Sequence, residues 1–366
     1  MPAITLPSVP HWTPAPVTTE ALQWADLEVI DLSKAKTADG RAELAIKARD
    51  AMHTQGFFYV INHGLEKSQT ERIFDIAAVP FDGVAPEEQK AYVADMKAAG
   101  EFEGYKPLQY WASHIDNGVR DRMEQYNFNR NVHYKEHPQA IRPLLPEIQE
   151  FIRFNHEEVL HELERLLALG LELPEDTLTH ITSFEQNNNG YFRFMRYHPR
   201  PEEEEVRSGN LWLKGHTDAG AATILWSQEV AALQIRNHED SEWRWVKHIE
   251  NALVVNCGDA LTMLSGGYYK SAIHRVVQPP SDQRGYQRLG VFYFASFDDD
   301  VPLKPLEESP VLQRNGLSTP AEKRAPLMGE WRKARVAAYG TSELKKSAKK
   351  GVEEEFINGI PVKHYA

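Results

Sequence analysis

The stretch LKGHTDAGAATILWS, residues 213–227, places a histidine and an aspartate two positions apart in a run typical of a β-strand. Side chains at positions i and i+2 of a strand project from the same face, so His216 and Asp218 lie together while Thr217 points away. An imidazole and a carboxylate side by side are two of the three ligands of a two-histidine, one-carboxylate iron(II) site. Alone, the motif is a weak signal, because it also occurs on ordinary strands.

A complete site of this kind needs one more imidazole, which we expect from a later strand. Three histidines follow in the strand-rich part of the chain. His238 lies in the polar turn RNHEDSEW, and His248 directly follows the strand-like run WRWVK. His274 lies within KSAIHRVV, flanked by apolar residues, in a strand of its own. We therefore predict His274 as the third ligand.

The composition limits the kind of partner. Of the 366 residues, 42% are hydrophobic and 10% aromatic, as in a soluble globular protein, and the formal net charge is −12. A net negative charge argues against nucleic acid or an anionic membrane surface as the main partner. The basic run 345–350 is followed by acidic residues and predicts a solvated helix. We expect a cytoplasmic protein that acts on a small molecule, with no obligate protein partner evident.

The order of predicted elements indicates a mixed α and β fold acting as a single catalytic unit over 1–366. Helices and short strands alternate over 20–175, and a helical spacing of leucines marks one long core-facing helix before Gly170. Short strands then follow at intervals of about 8–12 residues over 188–300, as in a sandwich or barrel. We predict a helical flap over 317–366. The single cysteine, Cys257, lies in an apolar run and is expected to be a buried structural thiol.

Longer motifs carry a resemblance to a known family. The block NALVVNCGDALTMLSGGYYKSAIHRVVQPP, followed by RLGVFYF, resembles the C-terminal signature of the isopenicillin N synthase-like 2-oxoglutarate/iron(II) dioxygenases. The segments VIDLS, GFFYVINHGL, GYKP and DRMEQYNF are similar to the family's N-terminal segments and occur in the family's order. The resemblance extends from about residue 28 to about residue 300.

The resemblance implies a double-stranded β-helix, or jelly-roll, core with flanking N-terminal helices and a C-terminal helical segment. It implies His216, Asp218 and His274 as ligands of iron(II), with 2-oxoglutarate and O2 as co-substrates. The implied reaction couples oxidative decarboxylation of 2-oxoglutarate to hydroxylation or desaturation of a small molecule, such as a secondary metabolite.

The family's arginine for the C5 carboxylate of 2-oxoglutarate corresponds to Arg288, which opens the run RLGVFYF. An arginine suits this role because its planar guanidinium can pair with a carboxylate in a dry pocket. Arg284 and Arg275 lie nearby in sequence but are expected at the surface. The family's R-x-S motif ends here in Gly290, which removes one hydroxyl donor. Another hydroxyl, from Thr223 or Tyr197, is expected to compensate, or the affinity for the co-substrate falls.

Tyr197 resembles the tyrosine of the family's N-x-Y-x-P segment, which contacts the same carboxylate, although Met195 replaces the asparagine. A buried core tyrosine is the alternative interpretation. We expect the substrate to contact an aromatic wall and one arginine, and for each of these residues ordinary core packing or a structural ion pair is the alternative. The candidates are Tyr126, Phe128, Arg193, Trp226 and Phe292.

Two other functions compete with this prediction. An oxidase of the same fold would use iron and O2 without 2-oxoglutarate, and the glycine at position 290 keeps that alternative open. A metal-free binding protein would have kept the jelly roll alone. The intact set of three predicted ligands argues against this second alternative.

Overall fold

The computed structural model describes residues 6–111, 118–185, 190–317, 325–339, 342, 344–348 and 351–365. The N-terminal part alternates short strands and helices. The hydroxyl of Thr37 caps α1 by accepting from the backbone N–H of Gly40 at 3.1 Å. Gly56 connects α1 to β2 at φ +74°, where a Cβ would clash with the carbonyl oxygen of Lys270. The elements are β1 Val29–Asp31, α1 Ala38–Thr54, β2 Phe57–Ile61, α2 Lys67–Asp82, α3 Pro86–Ala91, α4 Met96–Ala99, β3 Gly104–Lys106 and β4 Met123–Asn129.

The long helix predicted from the leucine spacing is present, with one irregular turn. It consists of α5 Leu145–Phe154 and α6 His161–Gly170, joined by a π-helical turn over Asn155–Leu160. The side chain of Asn155 donates to the carbonyl oxygen of Phe151 at 2.7 Å and accepts from the indole N–H of Trp226 at 3.0 Å. The first bond gives the carbonyl oxygen of Phe151 a partner next to the irregular turn, and the second attaches the helix to the sheet beneath it.

The strand-rich part begins at Tyr191. Its strands contain many β-branched and aromatic residues, and most are buried on both faces. Cys257 ends one of them and is fully buried, as predicted, and burial raises the pKa of its thiol to about 12. The elements are β5 Tyr191–Tyr197, α7 Glu202–Ser208, β6 Leu211–His216, β7 Ala222–Trp226, β8 Leu233–Arg236, β9 Trp243–Trp245, β10 Leu253–Cys257, α8 Asp259–Leu264, β11 His274–Val277 and β12 Arg288–Phe294.

Two sheets face each other, which confirms the jelly-roll core with flanking helices. Within the described residues, the larger sheet has eight strands in the order β1-β2-β10-β7-β12-β5-β4-β3. Its pairs are antiparallel apart from β1 with β2. The smaller sheet contains β6, β11, β8 and β9 in that order. The helix pair α5–α6 covers the outer face of the larger sheet, and a cavity lies between the inner faces of the two sheets.

The C-terminal segment corrects the prediction of a helical flap. A short α9, Pro310–Arg314, and then α10, Met328–Ala338, are helical, but three strands follow: β13 Lys345–Lys346, β14 Val352–Ile357 and β15 Ile360–Tyr365. Asn358 and Gly359, at φ 51° and 77°, form the two-residue turn of a hairpin between β14 and β15. β15 pairs with β6, so the hairpin extends the smaller sheet.

The basic run is likewise not helical where it is described. Lys345 and Lys346 lie opposite Glu354 and Glu353 across a strand pair, where opposite charges attract. Residues 349 and 350 of the predicted helix lie outside the described part of the chain. Among the described residues, no helix combines the length and hydropathy that a bilayer crossing requires.

Candidate active site

Strands β6 and β11 bring two histidines together. The antiparallel register sets His216, the last residue of β6, opposite His274, the first residue of β11, and their ring centroids are 4.3 Å apart. Asp218 follows β6 by two residues. Its Oδ1 lies 3.9 Å from Nε2 of His216 and 3.8 Å from Nε2 of His274. One possible ligand atom from each residue therefore lies within 4.8 Å of the others.

Hydrogen bonds on the far side of each imidazole orient it. Nδ1 of His216 lies 2.8 Å from the carbonyl oxygen of Lys214, and Nδ1 of His274 lies 3.0 Å from that of Ala272. Because a carbonyl only accepts, each Nδ1 carries the proton and each Nε2 presents its lone pair to the shared centre. Burial, reinforced by the facing His274, lowers the pKa of His216 to about 3. His216 is therefore neutral, the form that binds a metal.

The larger sheet holds the carboxylate. Oδ2 of Asp218 accepts from Oγ1 of Thr223 on β7 at 2.7 Å and from Nδ2 of Asn256 on β10 at 2.9 Å. Burial alone would raise the pKa of Asp218, but the two imidazoles and these hydrogen bonds outweigh it and lower the pKa below the ordinary value. The carboxylate is ionised, and its Oδ1 faces the two histidines. The three side chains together offer two nitrogen donors and one anionic oxygen, a set suited to iron(II).

Arg288 lies in the wall of the adjoining cavity, at the start of β12 and opposite Tyr197 at the end of β5. Its guanidinium carbon is 5.6 Å from the Tyr197 ring centroid. The residue is 2% exposed, its buried Nε has no hydrogen-bond partner, and no carboxylate pairs with it within the described residues. Burial lowers the pKa of this guanidinium, and Tyr197 acts in the opposite direction. Arg288 is thus a buried cation with space for an anion.

The two rival arginines lie elsewhere. Arg284 is half exposed and lies 4.0 Å from a carboxylate oxygen of Glu202. Arg275 stacks over the ring of Trp243 at 4.2 Å and donates to the side chain of Gln234. Neither lines the cavity.

The glycine that replaces the family's serine has a steric explanation. A Cβ built on Gly290 would lie 2.5 Å and 2.9 Å from two carbons of the Phe292 ring, which occupies the space that a serine would need. Thr223 does not replace the serine as a donor to 2-oxoglutarate, because its hydroxyl already donates its proton to Asp218. The hydroxyl of Tyr197 makes no hydrogen bond within the described part of the chain, and both Tyr197 and Arg288 line the cavity.

The predicted substrate residues fall into two groups. Arg193 and Phe292 line the cavity. Tyr126, Phe128 and Trp226 do not, and this corrects the prediction: they belong to the core under α5 and α6, and each is at most 1% exposed. Their polar atoms are also engaged, since the hydroxyl of Tyr126 lies 2.6 Å from Nδ1 of His137 and the Trp226 indole donates to Asn155.

Several cavity residues were not predicted. Asn256, which orients Asp218, lies in the NCGD part of the quoted family block, so a signal for it was present. The helix α10 closes one side of the cavity with Arg332 and Arg335. No motif marks these two arginines, because their place depends on how α10 folds back over the sheets.

Comparison with known proteins agrees with this geometry. A family model described as "2OG-Fe(II) oxygenase superfamily" matches residues 185–296, and one described as "non-haem dioxygenase in morphine synthesis N-terminal" matches residues 27–147. The two matches are consecutive and together cover well over half of the chain. The chain belongs to the 2OG-Fe(II) oxygenase superfamily. It is a 2-oxoglutarate- and iron(II)-dependent dioxygenase.

Individual relatives share most of the length of this dioxygenase. Jasmonate-induced oxygenase 4 of Arabidopsis thaliana is 28% identical over 314 residues, which cover 85% of this chain and 83% of the relative. A full-length Neurospora crassa protein in complex with alpha-KG shares the fold, with a TM-score of 0.72 at 22% identity, over 85% of this chain and 96% of that chain. A complex of JOX2 with 2OG, Fe and JA has a TM-score of 0.60 at 25% identity, over 80% and 81% of the two chains.

Proposed function

We propose that His216, Asp218 and His274 bind the iron(II) of this dioxygenase, and that the enzyme oxidises a small, largely apolar molecule in the adjoining cavity. The observation that carries this proposal is the convergence of three potential ligand atoms within 4.8 Å. Two imidazoles and one carboxylate leave the remaining positions of the ion open for co-substrates. The bound ion supplies the dioxygen chemistry that couples conversion of 2-oxoglutarate to succinate and carbon dioxide with oxidation of the substrate.

The protein's own contribution is orientation and exclusion of water. The backbone acceptors behind the two imidazoles and the two donors behind Asp218 hold all three ligands in place without the ion. Such support limits the reorganisation needed when the ion binds. The surrounding wall is mostly apolar, which keeps water from the reacting centre. Its apolar members include Phe57, Met195, Leu213, Leu225, Leu233, Val254 and Val276.

Arg288 is the proposed partner of the C5 carboxylate of 2-oxoglutarate. A buried guanidinium without an acidic partner is costly, and a carboxylate that arrives with the co-substrate removes this cost through charge-assisted hydrogen bonds. Tyr197 faces Arg288 across the strand pair and offers a hydroxyl to the same carboxylate. This arrangement supports the proposed role of both residues in the absence of the family's serine.

Binding of iron(II) under anaerobic conditions tests the metal ligands directly. Isothermal titration calorimetry should show one strong site in the wild type and none in His216→Ala. His248→Ala is the matched control, because His248 lies in the same region with Nδ1 2.8 Å from Oγ of Ser227 and outside the ligand set. Equal iron uptake by wild type and His216→Ala would disprove the assignment.

The co-substrate site is tested by calorimetric titration of 2-oxoglutarate in the presence of Mn(II). Loss of a buried charge pair costs about 3 kcal/mol or more, so Arg288→Gln should weaken binding by about 100-fold or more while Mn(II) still binds. Succinate should form together with the oxidised product. Product formation without succinate would instead identify an oxidase that does not use 2-oxoglutarate.

A further inference from the structure

Arg193 is a second buried cation in the cavity wall, on the same strand as Tyr197. Arg193 is only 5% exposed. Its guanidinium carbon lies 5.0, 5.0 and 4.9 Å from the ring centroids of Phe102, Tyr191 and Phe294. Nε donates to Oδ1 of Asn127 at 2.6 Å, whereas the buried Nη2 has no acceptor. All three rings also line the cavity, so the guanidinium lies where a bound molecule can reach it.

Apart from Arg288, the arginines of the cavity lie on α10, and both differ from Arg193 in having an acidic partner. Arg332 lies 3.2 Å from a carboxylate oxygen of Asp299, and Arg335 lies 3.5 Å from one of Asp259. Arg193 has no acidic partner within the described part of the chain. The aromatic rings attract the cation through their faces but cannot accept a hydrogen bond in the plane of the guanidinium. An anion is therefore the missing partner.

The 2-oxoglutarate proposed to bind Arg288 cannot also serve Arg193. In the register of β5 and β12, Arg288 lies opposite Tyr197 and Phe292 lies opposite Arg193. The backbone positions of the two arginines are thus four residues apart along the strand pair, or about 13 Å. In the proposed function one carboxylate of 2-oxoglutarate pairs with Arg288 and its other end occupies open positions of the metal ion, so neither carboxylate is left for Arg193. Arg193 requires an anionic group from another molecule.

We propose that Arg193 binds the carboxylate of the molecule that is oxidised. The substrates of this enzyme are then organic acids whose carboxylate is attached to an apolar group about the size of an aromatic ring. This inference rests on the proposed function and names the substrate class of the same site. Asn127 fixes the Nε edge of the guanidinium and leaves the Nη edge for the carboxylate. The surrounding rings of Phe102, Tyr191 and Phe294 suit a weakly hydrated monoanion attached to an apolar group.

Three acid and amide pairs of equal shape test the proposal: phenylacetate, 3-phenylpropanoate and naphthalene-1-acetate, each with its primary amide. Calorimetry is performed on the full chain loaded with Mn(II) and 2-oxoglutarate, so that no turnover consumes the probe. A hydrogen bond to a charged group predicts that at least one acid binds about 10-fold or more tightly than its amide. Arg193→Gln should abolish this preference, and Arg193→Lys should retain part of it.

Asn127→Asp is a second variant that leaves the arginine in place. It puts a carboxylate within 2.6 Å of Nε of Arg193, and this internal anion should also remove the preference for acids. The proposal is overturned if no acid binds more tightly than its amide in the wild type, or if the preference persists in Arg193→Gln. If Arg193→Gln does not fold, persistence of the preference in Asn127→Asp overturns it instead. Failure of the wild type to bind 2-oxoglutarate with Mn(II) would instead disprove the proposed function, which separates the two results.

Discussion

The two faces of the larger sheet differ in chemistry, although their residues alternate along the same strands. On β5, Phe192 and Phe194 pack with Phe128 and the helices, with ring centroids 5.0–6.2 Å apart. Arg193 and Tyr197, on the opposite face, line the cavity. The helix-facing side is a close-packed aromatic core, whereas the cavity-facing side adds cations and hydroxyls to a mostly apolar wall.

The difference separates stability from function within single strands. The rings on the helix-facing side bury a large apolar area, which is the main stabilising contribution to a fold. On the cavity-facing side, Nε of Arg288 and Nη2 of Arg193 are buried without an acceptor, and such atoms cost about 1–3 kcal/mol each. The cavity-facing side is therefore destabilised in the free protein, and ligand binding recovers part of this free energy.

The largest expected effect of a single substitution is on the helix-facing side. Phe128→Ala should lower the free energy of unfolding by about 3–5 kcal/mol, because it leaves a void among fully buried rings. Urea denaturation followed by circular dichroism measures this change. The folded fraction of the variant should still bind 2-oxoglutarate with unchanged affinity, because Phe128 does not line the cavity.

Phe292→Ala is the matched control on the cavity-facing side. Phe292 is only partly buried and borders open space, so its loss should destabilise the fold less than the loss of Phe128. Equal losses of stability in the two variants would contradict the division of roles between the faces.

This division also explains which parts of the site could be predicted from the sequence. The proposed ligands His216, Asp218 and His274 could be predicted, because their spacing and the motif around His274 are local features. The choice among aromatic residues failed for Tyr126, Phe128 and Trp226. The strands that carry them are covered on both faces, so the uniformly buried β7 shows no polar alternation, and the alternation of β4 does not reveal which of its faces borders the cavity.

On β4, choosing the residue next to Tyr126 or Phe128 along the strand would have corrected part of that prediction. In the register of β4 with β5, Asn127 lies opposite Arg193 on the cavity side, while Tyr126 and Phe128 lie opposite Phe194 and Phe192. Because side chains alternate with a period of two, neighbouring residues belong to opposite faces. The register of a sheet is a tertiary property that composition does not reveal.

The C-terminal hairpin was missed for a different reason. Asn358-Gly359 between two apolar runs is a strong local signal for a two-residue hairpin turn. The basic run 345–350 and the acidic residues that follow it suggested a solvated helix instead. Here the local signal was sufficient, and the interpretation of the charges was wrong.

Gly290→Ser tests whether the side chains on the cavity-facing side can move to make room for an added side chain. The new Cβ would meet the Phe292 ring at 2.5 Å, so the ring must move, and we expect a loss of stability of about 1–3 kcal/mol. The double variant Gly290→Ser, Phe292→Leu should recover stability and bind 2-oxoglutarate more tightly through the added hydroxyl. Urea denaturation and calorimetry measure the two quantities. A single variant as stable as the wild type would show that the ring moves without cost.

The last prediction depends on pH and concerns Glu164 on α6, which tests whether water is excluded from the helix-facing side. It is buried against the larger sheet, its Oε2 accepts from Oγ1 of Thr182 at 2.5 Å, and its Oε1 has no partner. Burial raises the pKa of this carboxyl from 4.5 to about 8. The folded protein therefore holds a proton that the unfolded chain releases between these two pH values. The contribution of Glu164 to stability is present below about pH 4.5 and is lost as the pH rises toward 8.

Glu164→Gln removes this pH dependence, since the amide cannot ionise. Compared with the wild type, the variant should gain stability as the pH rises from 5 to 8, with a slope approaching about 1.4 kcal/mol per pH unit. Urea denaturation at pH 5, 6, 7 and 8 measures the difference in the free energy of unfolding. The control is Glu158→Gln, in the adjoining π-helical turn, where Glu158 is exposed. Its free energy of unfolding should change with pH in parallel with that of the wild type. If Glu164→Gln also runs parallel, water reaches the carboxylate and the helix-facing side is less completely closed than its aromatic packing indicates.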